Sequence, residues 1–220
     1  MKRVTLFAGH YGSGKTNIAL NFARRIKPCV IADLDIVNPY FRTQDSAAEL
    51  AREGIGLVVS EYANSNVDFP ALPKETYALV ADRSTRVVID VGGDDRGALA
   101  LGRYVPDLRA EDDYDFLAVV NASRPLTRTA ADTLEVLREI EAACGLSFTG
   151  VVNNTNLGPE TTAATVLESR AYAAEVARAL GLEVRMTCCP EALAGELEPQ
   201  VPDLFPLRLQ RLYYQLEKGA

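Results

Sequence analysis

A glycine-rich segment near the start of the chain has the residue types and spacing of a phosphate-binding loop. It reads Gly9-His-Tyr-Gly-Ser-Gly-Lys-Thr16, follows a short apolar run and precedes a helical pattern. Glycine permits backbone angles and close approaches that side chains block, so consecutive N–H groups and a helix N-terminus can face an anion. The segment fits the pattern G-x-x-x-x-G-K-[ST] in the strand–helix context that this pattern requires.

The polar side chains of this loop predict a nucleoside triphosphate and a metal ion. We expect the ammonium group of Lys15 to bridge the β- and γ-phosphates, and the hydroxyl group of Thr16 to ligate Mg²⁺. The predicted nucleotide-binding residues are those of the loop and the residue after it: Gly9, His10, Tyr11, Gly12, Ser13, Gly14, Lys15, Thr16 and Asn17.

Aspartates follow two of the apolar runs that come after this loop. Asp33 and Asp35 lie at the end of the second run, and Asp90 ends the fourth. A carboxylate at such a strand end holds Mg²⁺ or its water, so Asp90 and Asp35 are predicted metal ligands together with Thr16. The spacing Asp90-x-x-Gly93 is typical of a switch whose glycine amide binds the γ-phosphate. Asp35 or Asp94 could orient the attacking water, and a helix cap or turn is the alternative for single aspartates here.

A run of asparagines bears on the choice of base. Guanine-specific P-loop proteins use an N-K-x-D loop whose carboxylate accepts hydrogen bonds from guanine, and the corresponding strand end here reads Asn153-Asn154-Thr155-Asn156. An amide thus stands where an acceptor carboxylate is wanted, whereas Asn153 can pair with adenine. The pattern favours ATP over GTP, and a polar loop that touches no base is the alternative.

The elements that must position these residues alternate regularly along the chain. Short β-rich runs, several of them continuously apolar, alternate with longer helical patterns, which predicts an α/β fold with a doubly wound, mostly parallel sheet of about seven strands. Such sheets bind ligands beyond the carboxyl ends of their strands, where the motifs fall. The 220 residues fit one domain over residues 1–220. The predicted strands are Val4–Ala8, Cys29–Asp33, Leu57–Ser60, Val87–Asp90, Phe116–Asn121, Gly150–Asn153 and Val184–Cys188. The predicted helices are Lys15–Ile26, Ser46–Arg52, Ala98–Tyr104, Thr127–Ala143, Thr161–Leu180 and a closing helix over Leu204–Glu217.

Composition argues against several other classes of protein. The net charge of -7 lacks the basic excess that a nucleic-acid binder needs to release counterions. No stretch of 18 apolar residues is present, and the segment after Met1-Lys2-Arg3 lacks a signal-peptide core, so we expect a cytoplasmic protein without a stable membrane anchor. The four cysteines and His10 lack the spacing of a zinc site, which favours buried thiols.

The order of these motifs resembles that of the MinD/ParA/Mrp group of SIMIBI-class P-loop ATPases, which is related to CobQ and CobB. The resemblance rests on Gly9–Thr16, Asp33-Leu-Asp35, Asp90-Val-Gly-Gly-Asp94, Asn153 and Pro190 after a late strand. It implies an ATPase in which Asp35 activates water beside Lys15 and the metal, and in which Asp94 couples nucleotide state to a partner. It also implies that Asn153 contacts adenine and that Pro190 lies in a base-side loop.

The chain departs from that group at several positions. His10 stands where the family often carries a lysine that reaches across a dimer, and Arg42, Arg96 or Arg124 could substitute for it. The cluster-bridging cysteines of the Mrp and iron-protein branches are not matched, because the side chains of adjacent Cys188 and Cys189 point in different directions on a strand. A long MinD-type membrane tail is not evident.

Two functions fit these motifs. The first is an ATP-driven switch that hydrolyses ATP slowly, acts on a protein partner and closes a nucleotide-dependent homodimer. The second is an ATP-dependent kinase or a ligase similar to dethiobiotin synthetase, with an acceptor pocket built from Asn38–Arg42, Asn64–Asp68 and Arg124. A metal or iron–sulfur delivery protein is disfavoured by the cysteine pattern.

Overall fold

The computed structural model describes residues 1–34, 44–59, 82–92 and 95–208. The predictions for Asp35, Gly93 and Asp94 lie outside these residues, as do those for the segments Asn38–Arg42 and Asn64–Asp68.

Eight strands form one sheet in which every pair of neighbouring strands is parallel. Their order is β3-β2-β4-β1-β5-β6-β7-β8. This architecture confirms the predicted α/β class. The strands are β1 (Val4–Ala8), β2 (Cys29–Asp33), β3 (Ile55–Val59), β4 (Val87–Asp90), β5 (Tyr114–Val120), β6 (Gly150–Asn153), β7 (Val184–Pro190) and β8 (Leu204–Leu207).

Helices connect the strands and cover both faces of the sheet. Thr129 and Thr162 cap the two longest ones by accepting hydrogen bonds from backbone N–H groups, and Gly145 and Gly181 end these helices at positive φ. The described helices are α1 (Lys15–Ile26), α2 (Gln44–Arg52), α3 (Asp95–Gly102), α4 (Val105–Glu111), α5 (Ala130–Cys144), α6 (Ala163–Leu180) and α7 (Ala194–Leu197).

The central strands are mostly apolar because each face of the sheet has its own core. In β1, Leu6 lies in one core with Leu108 and Leu137 of α4 and α5, whereas its neighbour Phe7 lies in the other with Ile18 of α1. Side chains of successive residues in a strand point to opposite faces, so a strand covered on both faces carries apolar residues on both.

Two parts of the prediction for the helices and strands were wrong. A helix was predicted over Leu204–Glu217, but Leu204–Leu207 is the edge strand β8, paired with β7, and residues 209–217 lie outside the described ranges. Phe205 and Leu207 are buried, and Pro206 would break a helix interior, whereas an edge strand tolerates a residue without an N–H group. The prediction also missed α4, which begins at Val105 just after the buried Tyr104.

The side-chain amide of Asn21 and the guanidinium group of Arg3 link the ends of strands to the helices. The amide of Asn21 in α1 donates to the Arg208 carbonyl oxygen over 3.1 Å and accepts from its N–H over 2.9 Å, which fixes the end of β8 beside α1. At the amino ends of the strands, just before β1, the buried Arg3 forms a two-bond ion pair with Glu111. It also donates to the carbonyl oxygens of Asp82 and Thr85, each over 3.0 Å. Among the helices of the described ranges, none combines the length and apolarity that crossing a bilayer requires.

Candidate functional site

The glycine-rich loop joins β1 to α1 at the carboxyl edge of the sheet. Gly12 and Gly14 have φ values of 75° and 92°, a region that favours glycine. A Cβ atom at Gly9 would collide with the carbonyl oxygen of Val119 in the neighbouring strand β5, so only glycine allows the loop to approach so closely. The helix that follows presents its N-terminal N–H groups to the space that the loop encloses, which is the arrangement that binds phosphate.

The polar side chains of the loop meet the strand-end carboxylate that the sequence predicted. The Thr16 hydroxyl donates to Oδ2 of Asp90 over 2.6 Å. Lys15 is buried, and its ammonium group donates to the carbonyl oxygen of His10 over 3.2 Å. The structure therefore brings Lys15, Thr16 and Asp90 together at one point of the sheet edge.

The same point fits a magnesium ion. Asp33 and Asp90 are register partners on the neighbouring strands β2 and β4, and both are buried. Mg²⁺ takes oxygen ligands from one or two carboxylates and completes its shell with waters and substrate phosphates. The Thr16 hydroxyl and the Asp90 carboxylate, already within hydrogen-bond distance, supply such oxygens.

A cleft opens beside the loop, on the side away from Asp90. The loops that follow β5 and β6 border it, together with the ends of β7 and β8. Since β6 lies between β5 and β7, the groups contributed by β5 and β7 face each other across the β6 loop. The cleft is lined by Gly12, Gly14, Asn17, Arg124, Asn154, Asn156, Gly158, Thr161, Cys188, Cys189, Pro190 and Leu207.

The asparagines at the end of β6 divide between the cleft and the interior. Asn153 is buried, donates to the Ser169 hydroxyl over 2.8 Å and accepts from the N–H of Thr155, so its amide points away from the cleft. Asn154 donates to the carbonyl oxygen of Ser13 over 2.6 Å, and Asn156 donates to that of Asn154 over 2.7 Å. The structure thus places Asn154 and Asn156, and not Asn153, along the lining of the cleft.

A buried asparagine that the sequence analysis did not single out holds two of the bordering loops together. Oδ1 of Asn121, at the end of β5, accepts from the N–H groups of Ser123 and Asn156 over 2.9 and 3.4 Å. Its carbonyl oxygen accepts from the N–H of Arg124 and from the Thr127 hydroxyl. The turn that carries Arg124 is therefore fixed relative to the β6 loop.

Arg124, one candidate for a residue that reaches across a dimer, contacts the P-loop of the same chain. Its Nε donates to the carbonyl oxygen of Gly12 over 2.9 Å, and its side chain forms part of the cleft. The turn behind it is anchored by Tyr172 of α6, whose hydroxyl donates to the carbonyl oxygen of Thr127 over 3.0 Å. Burial raises the pKa of Tyr172 to about 12, so this hydroxyl keeps its proton at neutral pH.

The remaining predicted residues surround these groups. The Nδ1 atom of His10 lies 2.8 Å from the carbonyl oxygen of Tyr11, and the Tyr11 side chain is 60% exposed at the rim. Ser13 is buried, and Asn17 and Pro190 line the cleft.

The cysteines behave as small apolar side chains. All four are buried, and burial raises the pKa values of the Cys188 and Cys189 thiols above the ordinary range. Within the described ranges, no three His, Cys, Asp or Glu side chains come together as metal ligands. This environment gives no support to metal binding through these thiols.

Comparison with known proteins identifies the fold but no family. No protein-family model and no curated protein sequence matches this chain. Solved structures that share its fold include cell division protein FtsY from Thermotoga maritima (TM-score 0.57, 16% identity, covering 83% of this chain and 60% of that one). Another is chloroplast FtsY from Physcomitrella patens (0.53, 18%, 84% and 57%). A third is the signal recognition particle receptor FtsY from Elizabethkingia anophelis in complex with GDP (0.51, 15%, 84% and 56%).

These neighbours confirm the predicted P-loop NTPase fold. At these identities they share the fold alone and do not single out the MinD/ParA/Mrp group. The chain spans less than two thirds of the length of each of these proteins.

Proposed function

We propose that this protein binds ATP with Mg²⁺, hydrolyses the nucleotide and acts on a protein partner as a switch of the MinD/ParA type. One observation carries the proposal: the Thr16 hydroxyl and the Asp90 carboxylate meet over 2.6 Å beside the buried Lys15, at the mouth of a glycine-lined loop. A P-loop is a phosphate site, and this pair of oxygens is the arrangement that holds magnesium next to it.

Phosphoryl transfer needs positioning and charge stabilisation more than covalent chemistry from the protein. Thr16 and Asp90 would hold Mg²⁺, which would supply neutralisation of the phosphate charge. The ammonium group of Lys15, now held by the His10 carbonyl oxygen, would turn to the same phosphates, and the loop amides would hold them in place. We propose Asp35 for the orientation of the attacking water, and Gly93 and Asp94 for sensing the γ-phosphate.

The lining of the cleft supports adenine over guanine. Guanine presents two neighbouring donors, its N1–H and its 2-amino group, which a carboxylate satisfies best. The residues that line the cleft include no aspartate or glutamate in the part of the chain that the structure describes. Asn154 and Asn156 offer amides there, so we assign the base contact to these two residues instead of Asn153.

Exposed apolar side chains near the loop support a protein partner. Tyr11, Leu126 and Leu157 are 60%, 61% and 51% exposed, and each belongs to a loop at the carboxyl edge of the sheet. Large apolar side chains gathered on one exposed face are typical of interaction sites. Because these residues flank the phosphate site, a partner docked on them would sense the state of the nucleotide.

Isothermal titration calorimetry with ATP and Mg²⁺ tests the proposal. The wild-type protein should bind ATP, and Lys15→Ala should weaken binding by about 100-fold or more, because it removes the cation beside the phosphates. Lys27→Ala is the matched control, since Lys27 is exposed at the opposite end of α1 and should leave affinity unchanged. Equal affinity of wild type and Lys15→Ala would refute the assignment of the loop.

The same titration with GTP tests the choice of base. We expect GTP to bind at least about tenfold more weakly than ATP, because two unpaired guanine donors in the cleft cost about 1–3 kcal/mol. Release of ADP and phosphate without any added acceptor would favour the hydrolytic switch over the kinase or ligase alternative. If GTP binds more tightly than ATP, the proposed nucleotide is GTP.

A further inference from the structure

Arg124 occupies a position in the cleft that the proposed contacts of Lys15, Thr16 and Asp90 do not use. Its Nε–H is used by the Gly12 carbonyl oxygen, whereas its two terminal amino groups make no hydrogen bond or ion pair within the described ranges. The side chain is half-buried and lines the cleft. A cation is thus held at a fixed place with its end presented to the cleft.

The guanidinium group lies flat against the P-loop. A Cβ atom built at Gly12 would lie 3.6 Å from Nε, 3.8 Å from Cζ and 3.9 Å from Cδ of Arg124, so these three atoms are nearly equidistant from one point. The loop covers one face of the group, and the remaining surface of the side chain borders the cleft.

The opposite wall of the cleft is apolar. Arg124 follows β5, while Pro190 ends β7 and Leu207 ends β8, so the two walls stand on either side of the β6 loop. Asn154 and Asn156 line the cleft between them. A slot with a flat cation on one wall, apolar groups on the other and amides between them suits a flat heteroaromatic ring with polar edges.

We propose that Arg124 is a base-clamping residue, whose guanidinium group covers one face of the nucleobase while Pro190 and Leu207 cover the other. This inference rests on the proposed function, because it needs a nucleotide whose phosphates occupy the P-loop. Stacking on a guanidinium plane favours every base alike, so Arg124 sets the affinity for the nucleoside and not the choice between adenine and guanine.

Asn121 and Thr127 keep the clamp in place. They bind the turn that carries Arg124 through its backbone, and Tyr172 and Thr133 bind the carbonyl oxygen of Thr127 from the helices behind it. The guanidinium group is therefore already in position before a base arrives, which lowers the entropy cost of binding.

Calorimetry with two ligands separates a base clamp from a phosphate contact. Arg124→Ala should weaken ATP–Mg²⁺ binding by about five- to thirtyfold, the range expected for a lost cation–π stack, and should weaken GTP binding by a similar factor. Binding of inorganic tripolyphosphate with Mg²⁺, which has no base, should stay within about twofold of wild type. The matched control is Arg128→Ala, an exposed arginine on the same turn, which should change neither affinity.

Steady-state hydrolysis gives a second readout. A clamp on the base predicts that Arg124→Ala raises KM for ATP by a similar factor and keeps kcat within about twofold, because the chemistry at the γ-phosphate is untouched. Arg124→Lys retains the charge but not the plane, so it should recover only part of the affinity. If Arg124→Ala lowers kcat and preserves KM, the residue is catalytic and the clamp is refuted.

Further results would also overturn the inference. Equal loss of ATP and tripolyphosphate binding in Arg124→Ala would show that the residue supports the P-loop itself, and full recovery by Arg124→Lys would show that charge alone suffices. A wild-type protein that binds both ligands, with Arg124→Ala indistinguishable from it, would refute only the clamp. A wild-type protein that binds neither ligand would refute the proposed function as well.

Discussion

Buried hydroxyl groups in this protein differ in how well they are satisfied. The Thr5 hydroxyl, in the central strand β1, is buried and has no hydrogen-bond partner in the part of the chain that is described. The Thr133 hydroxyl in α5 is buried too, but it donates toward the carbonyl oxygens of Thr127 and Thr129 and lies 2.7 Å from the Tyr172 hydroxyl. Burying a polar group costs free energy unless a hydrogen bond compensates it.

Valine has the shape of threonine without the hydroxyl group. Replacing these two threonines with valine should therefore change the free energy of unfolding in opposite directions. Thr5→Val should raise the free energy of unfolding by about 0.5–1.5 kcal/mol, because it removes an uncompensated polar group from the core. Thr133→Val should lower it by about 1–3 kcal/mol, because it breaks a satisfied network. Urea unfolding followed by circular dichroism measures both changes, and equal destabilisation by the two variants would contradict this argument.

Residue types in a linear pattern were enough to predict that Lys15, Thr16 and Asp90 come together in the fold. Lys15 and Thr16 stand in one continuous motif, and Asp90 ends an apolar run, so the sequence alone predicts the cluster that the structure contains. Asn121 and Arg124 were harder to assign, because their roles depend on contacts with residues far away in the chain. Asn153 and Asn154 are neighbours, and only the local path of the backbone decides which of them lines the cleft.

At the scale of elements, the site depends on how closely β1, β5 and the P-loop approach one another. Gly9 faces the backbone carbonyl oxygen of Val119 in β5 with no room for a side chain. By contrast, Gly195 in α7 has no neighbour within 4 Å of the position that a Cβ atom would take. Packing against β5 therefore requires glycine at position 9, whereas no neighbouring atom requires glycine at position 195.

Alanine substitutions at these two glycines should therefore give opposite results. Gly9→Ala should lower the free energy of unfolding by about 1–3 kcal/mol and weaken ATP binding, because the loop must move away from β5. Gly195→Ala should raise the free energy of unfolding by up to about 1 kcal/mol, because alanine favours helix. Thermal melting and calorimetry with ATP measure these effects, and unchanged ATP affinity in Gly9→Ala would contradict the required contact.

The prediction of elements succeeded where both faces of a strand are covered. The bounds of β1, β2, β4 and β6 match those that continuous apolar runs predicted. Where apolar residues fit either periodicity, as in Leu204–Leu207, the sequence did not separate a strand from a helix. The choice there depends on pairing with β7, a contact between strands that local sequence does not encode.

At the scale of the whole molecule, the carboxyl ends and the amino ends of the strands differ in what they contribute. The carboxyl edge carries the site, while the opposite edge is held by Arg3, which links β1 to Glu111 in α4 and to the turn before β4. Hydrogen bonds from Arg3 lower the pKa of Glu111 below its ordinary value of 4.5. A carboxyl group with a lowered folded-state pKa stabilises the fold above its unfolded pKa, and this contribution disappears as pH falls through the folded value.

Replacement of this carboxylate should reduce stability at neutral pH and alter its pH dependence. Glu111→Gln should lower the free energy of unfolding by about 1–3 kcal/mol at pH 7 and reduce the loss of stability below pH 4.5. The exposed Glu139→Gln should stay within about 0.5 kcal/mol of wild type. Urea unfolding from pH 7 to pH 3 measures both, and parallel curves for Glu111→Gln and wild type would contradict the role of the ion pair.

Nucleotide-dependent dimerisation is the remaining prediction for the whole molecule. If the apolar residues near the P-loop meet a second copy, the mass from light scattering should rise from 23.9 kDa toward twice that value with a non-hydrolysable ATP analogue. ADP should leave the mass unchanged, because it lacks the γ-phosphate that would order the interface. If the protein stays monomeric under every condition, its partner is a different protein and not a second copy of this chain.

The proline in β8 has a consequence for how this molecule meets others. The strand is at the margin of the sheet, and Pro206 leaves a gap in the row of donors that a newly arriving chain would need. This margin therefore resists extension into ribbons or fibrils by strands added next to β8.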